Sequence, residues 1–169
     1  MTTITSLIHA RPNPNDSIAL SELDPLRKVD ALQEAQLLDS KVCHVTSTAA
    51  LLLEMRTALE IDTGNFALLV VRRTETLTWT MDQILDPFMA VTIISSLPHS
   101  SNNSFGLHLG FIPDGHLTLV GERADFYLLD VEEISETIPD YTEVDIKELS
   151  SALPSWSSKC NLLGASYLG

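Results

Sequence analysis

Two histidines, His108 and His116, flank a Pro-Asp-Gly turn in "GLHLGFIPDGHLTLVGE", residues 106–122. If they met across a hairpin, their imidazoles could share a zinc-type ion or relay a proton. Turn chemistry and apolar pattern bear on the question. A three-residue loop, Pro113-Asp114-Gly115, pairs Phe111 with Leu117 and Leu109 with Leu119, so the large apolar residues share one buried face. Pro presets the first loop position, Asp suits the second and Gly the left-handed third. His116 then faces Ile112, and His108 lies about 13 Å away at about 3.3 Å per residue. Nitrogens that share a zinc must lie within about 4 Å of each other. The expectation is two exposed strand histidines that do not meet, and no metal site.

Other chemistry is sparse. The chain has no GxSxG, no HExxH, no phosphate-binding glycine loop and only 7 glycines. Cys43 and His44 are strand neighbours, so they point to opposite faces and cannot act as nucleophile and base. His9 falls in a leader and His99 in the polar loop "PHSSNNS", neither with a companion. Carboxylates are plentiful, but nothing singles out a pair for acid–base work. No catalytic residue, metal ligand or cofactor is expected. Cys43 and Cys160 lack metal-type spacing and read as free thiols of a cytoplasmic protein. Arg72-Arg73 reads as a strand-end pair neutralised by nearby carboxylates. Glu54 is the expected partner of Arg73 if Glu54 pairs near Val71.

Charge is the strongest compositional signal. Lys and Arg number 10 against 23 Asp and Glu, a net charge of −13. Such a field repels nucleic acid and anionic membrane, and favours a protein partner with a basic surface. The excess concentrates between Glu122 and Glu148, where only Arg123 and Lys147 are basic. Glu132, Glu133, Glu136, Asp140, Glu143 and Asp145 are therefore candidate partner-binding residues, with Trp156 as a candidate aromatic anchor. A solvated surface is the plainer alternative.

These residues need a frame. The 169 residues suit one domain, here 21–169, after a flexible leader over 1–20 that mixes Pro12, Asn13 and Pro14 without periodicity. The leader has no basic stretch running into an apolar segment, so it does not read as a signal peptide. Asp24-Pro25 and the stripe Leu26, Val29, Leu32 predict a helix over 25–38. Strands follow in 41–62, and in 66–71, which is apolar on both faces and so central. Further strands are expected at 88–97, around the histidines, and at 124–131. Thr142 is expected to cap a short helix with Ile146, Leu149 and Leu153 as its stripe, ended by Pro154. The apolar tail after it should pack on the domain or on a partner. The order predicts an α+β fold, mainly an antiparallel β-sandwich or partly closed barrel, with an N-terminal helix and a short C-terminal helix.

The stretches "STAALLLEMRTALE", "GNFALLVVRR", "LTWT", "ADFYLLDVEEISETIPDYTE" and "LPSWSS" resemble a group of uncharacterised bacterial proteins that are small, acidic and β-rich. The likeness runs from about residue 25 onward and implies no particular activity or functional residue. In general character such sequences are similar to toxin-neutralising immunity proteins, which implies steric block of a basic partner. The leading expectation is a non-catalytic protein-binding module, for which a homo-oligomer is possible. The rivals are a small-molecule-binding barrel or sandwich, and an enzyme with an unrecognised site.

Overall fold

The computed structural model describes residues 2–13, 20, 23–83 and 86–169. Continuous apolar runs place three strands at its centre, because a strand buried on both faces has no room for alternation. These are β3 (Thr48–Glu54), β4 (Phe66–Arg72) and β9 (Arg123–Val131), with β4 lying between the other two. The hairpin-forming segments β6 (Thr92–Ser101), β7 (Ser104–Ile112) and β8 (Gly115–Gly121) follow one another in space, and β5 (Thr76–Met81) pairs with β8 at the sheet edge. Beside β3 lies β2 (Gln36–Cys43); beside β9 lies β10 (Lys159–Leu168), followed by the two-residue β1 (Thr2–Thr3). Every pairing is antiparallel and the 10-stranded sheet does not close. Among the described residues two short helices, α1 (Ile4–Ile8) and α2 (Ile146–Ala152), accompany the sheet. Among the described residues no helix is long and apolar enough to cross a membrane.

The sheet is doubled over, so strands far apart in its order share a core. Leu51, Leu53, Leu69 and Phe126 from one half meet Phe105, Leu107, Leu109, Leu117 and Leu119 from the other. A second cluster covers the opposite face of the central strands, where Ile4, Leu7 and Ile8 of α1 pack on Leu52, Phe66, Leu68 and Tyr127. Each such Leu, Ile or Phe contributes roughly 1.5–3 kcal/mol by leaving water.

Several expectations change. The start of the supposed leader is seated: Ile4 is fully buried, and Thr3 closes a capping box with Ser6. Residues 14–19 lie outside the described residues. The stripe over 25–38 is buried at Leu26, Leu32 and Ala35, but its backbone is a chain of turns running into β2. Asp30 and Glu34 adopt positive φ, and their N–H groups bond across to Ser96 and Ile93 instead of continuing a helix. The stretch 41–62 hides a hairpin: the chain turns at His44–Ser47, with Val45 96% exposed in the turn. Its β-branched residues mimic strand and mask the turn. The strand expected at 88–97 begins at Thr92 and continues to Ser101, so His99 sits in β6 and not in a loop. Asp145, not Thr142, caps α2, and Ile146 of the expected stripe is 68% exposed.

Charge is divided between the halves. Strands β5 to β8 contain no Asp, Glu, Lys or Arg, yet carry His99, His108 and His116. All charged strand residues lie in β2, β3, β4, β9 and β10.

Candidate functional site

The acidic site is built where β4 and β9 end side by side. Phe66 pairs with Leu129, so the chain just before β4 runs beside the chain just after β9. Asn65 prolongs that ladder with its side chain: its Nδ2–H donates to the Val131 carbonyl (3.0 Å), and its Oδ1 accepts from the Val131 N–H (2.8 Å). Gly64 precedes it at φ +76°, with the Leu129 carbonyl 2.8 Å from where a Cβ would stand. Only glycine fits that approach. A cleft of about 610 Å³ opens here, lined by Asp62, Asp130, Glu132, Glu133 and Glu136, with Ile134 and Leu163 as apolar walls. Leu163 reaches it as the extra residue of a bulge in β10, between Leu162 and Gly164.

Arg56 holds this rim in place. Its guanidinium takes both oxygens of the fully buried Glu54, Nε to Oε1 at 2.8 Å and Nη2 to Oε2 at 2.6 Å. The remaining N–H groups donate to the carbonyls of Ser135, of Thr137 (3.4 Å) and of Ala152 (3.1 Å), and the group lies 4.9 Å from the Phe66 ring centre. One side chain thus ties the end of β3 to the acidic loop and to the end of α2. A planar five-donor fork suits that task where a lysine would not. With Arg56 committed to Glu54 and three carbonyls, its charge does little to neutralise the five carboxylates around it.

The candidate residues separate. Glu132, Glu133 and Glu136 are brought together around the cleft. Asp140 and Asp145 serve their own backbone. Asp140 accepts from Thr142 N–H and Oγ1, bonds that hold its carboxyl below the usual range, and Asp145 caps α2 through the Glu148 N–H. Glu143 is exposed in the intervening turn. Trp156 packs on the outer core instead, its Nε1–H donating to Asp39 (2.8 Å) with Lys41 5.7 Å from its ring. Sequence reasoning missed Asp62, Asp130 and Leu163, because only the β4–β9 and β9–β10 pairings bring them to the cleft. Tyr141 stands behind the loop, donating to Gln36 Oε1 (2.8 Å). Burial first, then the Glu54 charge, pushes its phenol up to about 12.

Both strand-end arginines are neutralised, Arg73 by a partner other than the one expected. Glu54 pairs opposite Phe66, not near Val71, and Arg73 meets Glu122 at 3.0 Å. Arg72 meets the buried Asp125 at 2.7 Å and donates to the Ile8 carbonyl at the end of α1 (2.8 Å). Cys43 and Cys160 are free thiols. The two differ: hydrogen bonds from Thr46 lower the half-buried Cys43, and burial raises Cys160.

The histidine geometry is overturned. The loop is Ile112-Pro113-Asp114, one residue earlier than expected, and Phe111 pairs with Gly115, Leu109 with Leu117 and Leu107 with Leu119. His116 therefore faces Gly110, and His108 faces Thr118. The two imidazoles become diagonal neighbours with ring centres 5.8 Å apart and planes tilted by 34°. Gly115 is needed in the strand and not in the turn: a Cβ there would stand 2.7 Å from the Thr80 carbonyl oxygen and 2.3 Å from Met81 Sδ. Among the described residues no group of three or more His, Cys, Asp or Glu is disposed to hold a metal.

Fold and site together define an open antiparallel β-protein with an acidic cleft at one end of its central strands. Compared with known proteins, the chain matches no family model, no curated protein and no solved structure.

Proposed function

We propose that the protein is a non-catalytic protein-binding module that receives a basic surface of a partner protein in the acidic cleft, in the manner of an immunity-type inhibitor. One observation carries this reading: five carboxylates, one from β9 and four from the loops after β3 and β9, line a single cleft whose walls, Ile134 and Leu163, are apolar. A basic side chain entering it would find carboxylates at the rim and a surface to bury its stem against. The net charge of −13 would speed the encounter over a distance and disfavour nucleic acid. In this reading the protein is cytoplasmic and its partner protein is held by steric block without chemistry.

The test is association kinetics with the captured partner across a salt series. The Debye length shrinks from about 30 Å at 0.01 M to about 8 Å at 0.15 M, so steered encounter slows steeply with salt. Glu132→Gln, Glu133→Gln and Glu136→Gln together should slow association at low salt and flatten its salt dependence, with dissociation changing less. Neutralising Asp140, Glu143 and Asp145 should do less. Identical salt slopes in wild type and the cleft variant would sink the proposal.

A second reading has one observation behind it. A cleft of about 270 Å³ between β2 and β5 is lined by Leu37, Leu38, Val91, Leu117 and Trp79, a setting for a small apolar ligand. Quenching of Trp79 fluorescence by such ligands, absent in Leu117→Lys, would favour it.

A further inference from the structure

The face of β7 and β8 turned away from the core holds chemistry that the acidic cleft does not use. On it His108 and His116 are diagonal neighbours, and the strands around them bring no charged side chain. Two imidazoles bound to one ion, each nitrogen about 2.0–2.1 Å from it, have ring centres about 5–6 Å apart for angles near tetrahedral and somewhat wider. The observed 5.8 Å lies within that span. His108 is also oriented: its Nδ1 lies 3.0 Å from Thr118 Oγ1. With the proton on Nδ1 and donated to that hydroxyl, Nε2 keeps its lone pair for a metal, and a partner of this kind is what orients a ligating histidine.

We propose that His108 and His116 form an open, two-imidazole site for an exchangeable divalent cation of the zinc–nickel–copper class. Imidazole selects that class, and the strands of this half offer no carboxylate to calcium or magnesium. Two protein ligands leave the other coordination positions to water or to a donor from outside. That separates the site from a structural zinc centre, which uses four protein ligands. His99 lies on the same face one strand over, but its ring sits over Gly106, with Cε1 and Nε2 2.3 Å from where a Gly106 Cβ would be. It is no part of the pair. The site is independent of the proposed protein-binding role, since the acidic cleft lies on other strands.

The test is calorimetric titration of zinc chloride into the full chain and single variants, with circular dichroism to check folding. Wild type should take up one zinc that His108→Ala and His116→Ala each weaken at least tenfold. His44→Ala and His99→Ala should leave it unchanged. His108 is half-buried and His116 exposed, and neither ring belongs to a core cluster, so the variants should fold. Carboxylates elsewhere bind zinc weakly, and the alanine variants tell the two apart, because only uptake at the imidazoles depends on both histidines. Uptake that survives either alanine substitution, or no saturable uptake by wild type, overturns the proposal. Neither result touches the salt-dependence test of the acidic cleft.

Discussion

Strands β3, β4 and β9 bury charge in pairs, Glu54 with Arg56 and Arg72 with Asp125, while β5 to β8 carry no charge. The difference follows the connections each half must hold. In the uncharged half, β6, β7 and β8 are joined by tight hairpins, and the turns before β2 are held to β6 by backbone bonds at Ile93 and Ser96 without an arginine. In the charged half, irregular segments must be fixed to the sheet, and arginine does it. Arg56 bonds the carbonyls of Ser135, Thr137 and Ala152, and Arg72 that of Ile8. The buried carboxylate beside each arginine keeps the pair close to neutral. Buried ion pairs here fasten long connections to the sheet.

The sharpest way to break that comparison is Arg56→Leu. It leaves Glu54 buried and unpaired and frees the acidic loop, and should cost about 3–5 kcal/mol. Urea unfolding would show it, and hydrogen exchange should rise over 132–137 and α2 before it rises in β7 and β8. The double change Glu54→Leu with Arg56→Leu should recover part of the loss, because no lone charge is left inside. An unchanged midpoint for Arg56→Leu would show that the clasp does not hold the site.

In the uncharged half the equivalent weak point is steric. Gly115→Val should cost about 1–3 kcal/mol by overpacking against Thr80 and Met81, measured as a lower urea midpoint. Were the glycine a left-handed turn residue, Asn there would be tolerated. Since its place is the strand under β5, Gly115→Asn should destabilise as well.

The smallest effect concerns Tyr141, behind the acidic loop. Its folded-state value of about 12 lies above the unfolded value, so its contribution to stability is complete below the unfolded value and is lost as pH rises towards 12. The unfolded value is about 10. Urea midpoints of wild type should fall across that window more steeply than those of Tyr141→Phe. Parallel curves would mean that the phenol ionises as freely in the fold as in the unfolded chain.

How much was legible varies with the range of the interaction. The central place of 66–71 and the packing of the tail could be read from local apolar content, and both stand in the structure. The helix over 25–38 could not be refuted locally, because burying Leu26, Leu32 and Ala35 requires only that they face the core, and turns achieve it. Glu132, Glu133 and Glu136 could be picked out by charge. That Asp62 joins them, and that Asp140 and Asp145 are occupied with their own backbone, depends on pairings and caps that charge counting does not register.

The histidine hairpin marks the boundary between the two kinds of knowledge. Alternation along 105–111 and 117–119 determines by itself that the leucines and phenylalanines face the core and that both histidines face outward, and the structure agrees. It does not determine how far apart the histidines lie. Side chains alternate with a period of two, so sliding one strand by two residues returns every side chain to the same face and leaves the burial pattern unchanged. Only contacts beyond the hairpin distinguish those registers, and here β5 does so, pressing Thr80 and Met81 onto Gly115 where no side chain fits. That choice sets the imidazoles 5.8 Å apart instead of on opposite ends of the ribbon. Facing is a local property of the chain, whereas distance across a sheet belongs to the tertiary structure.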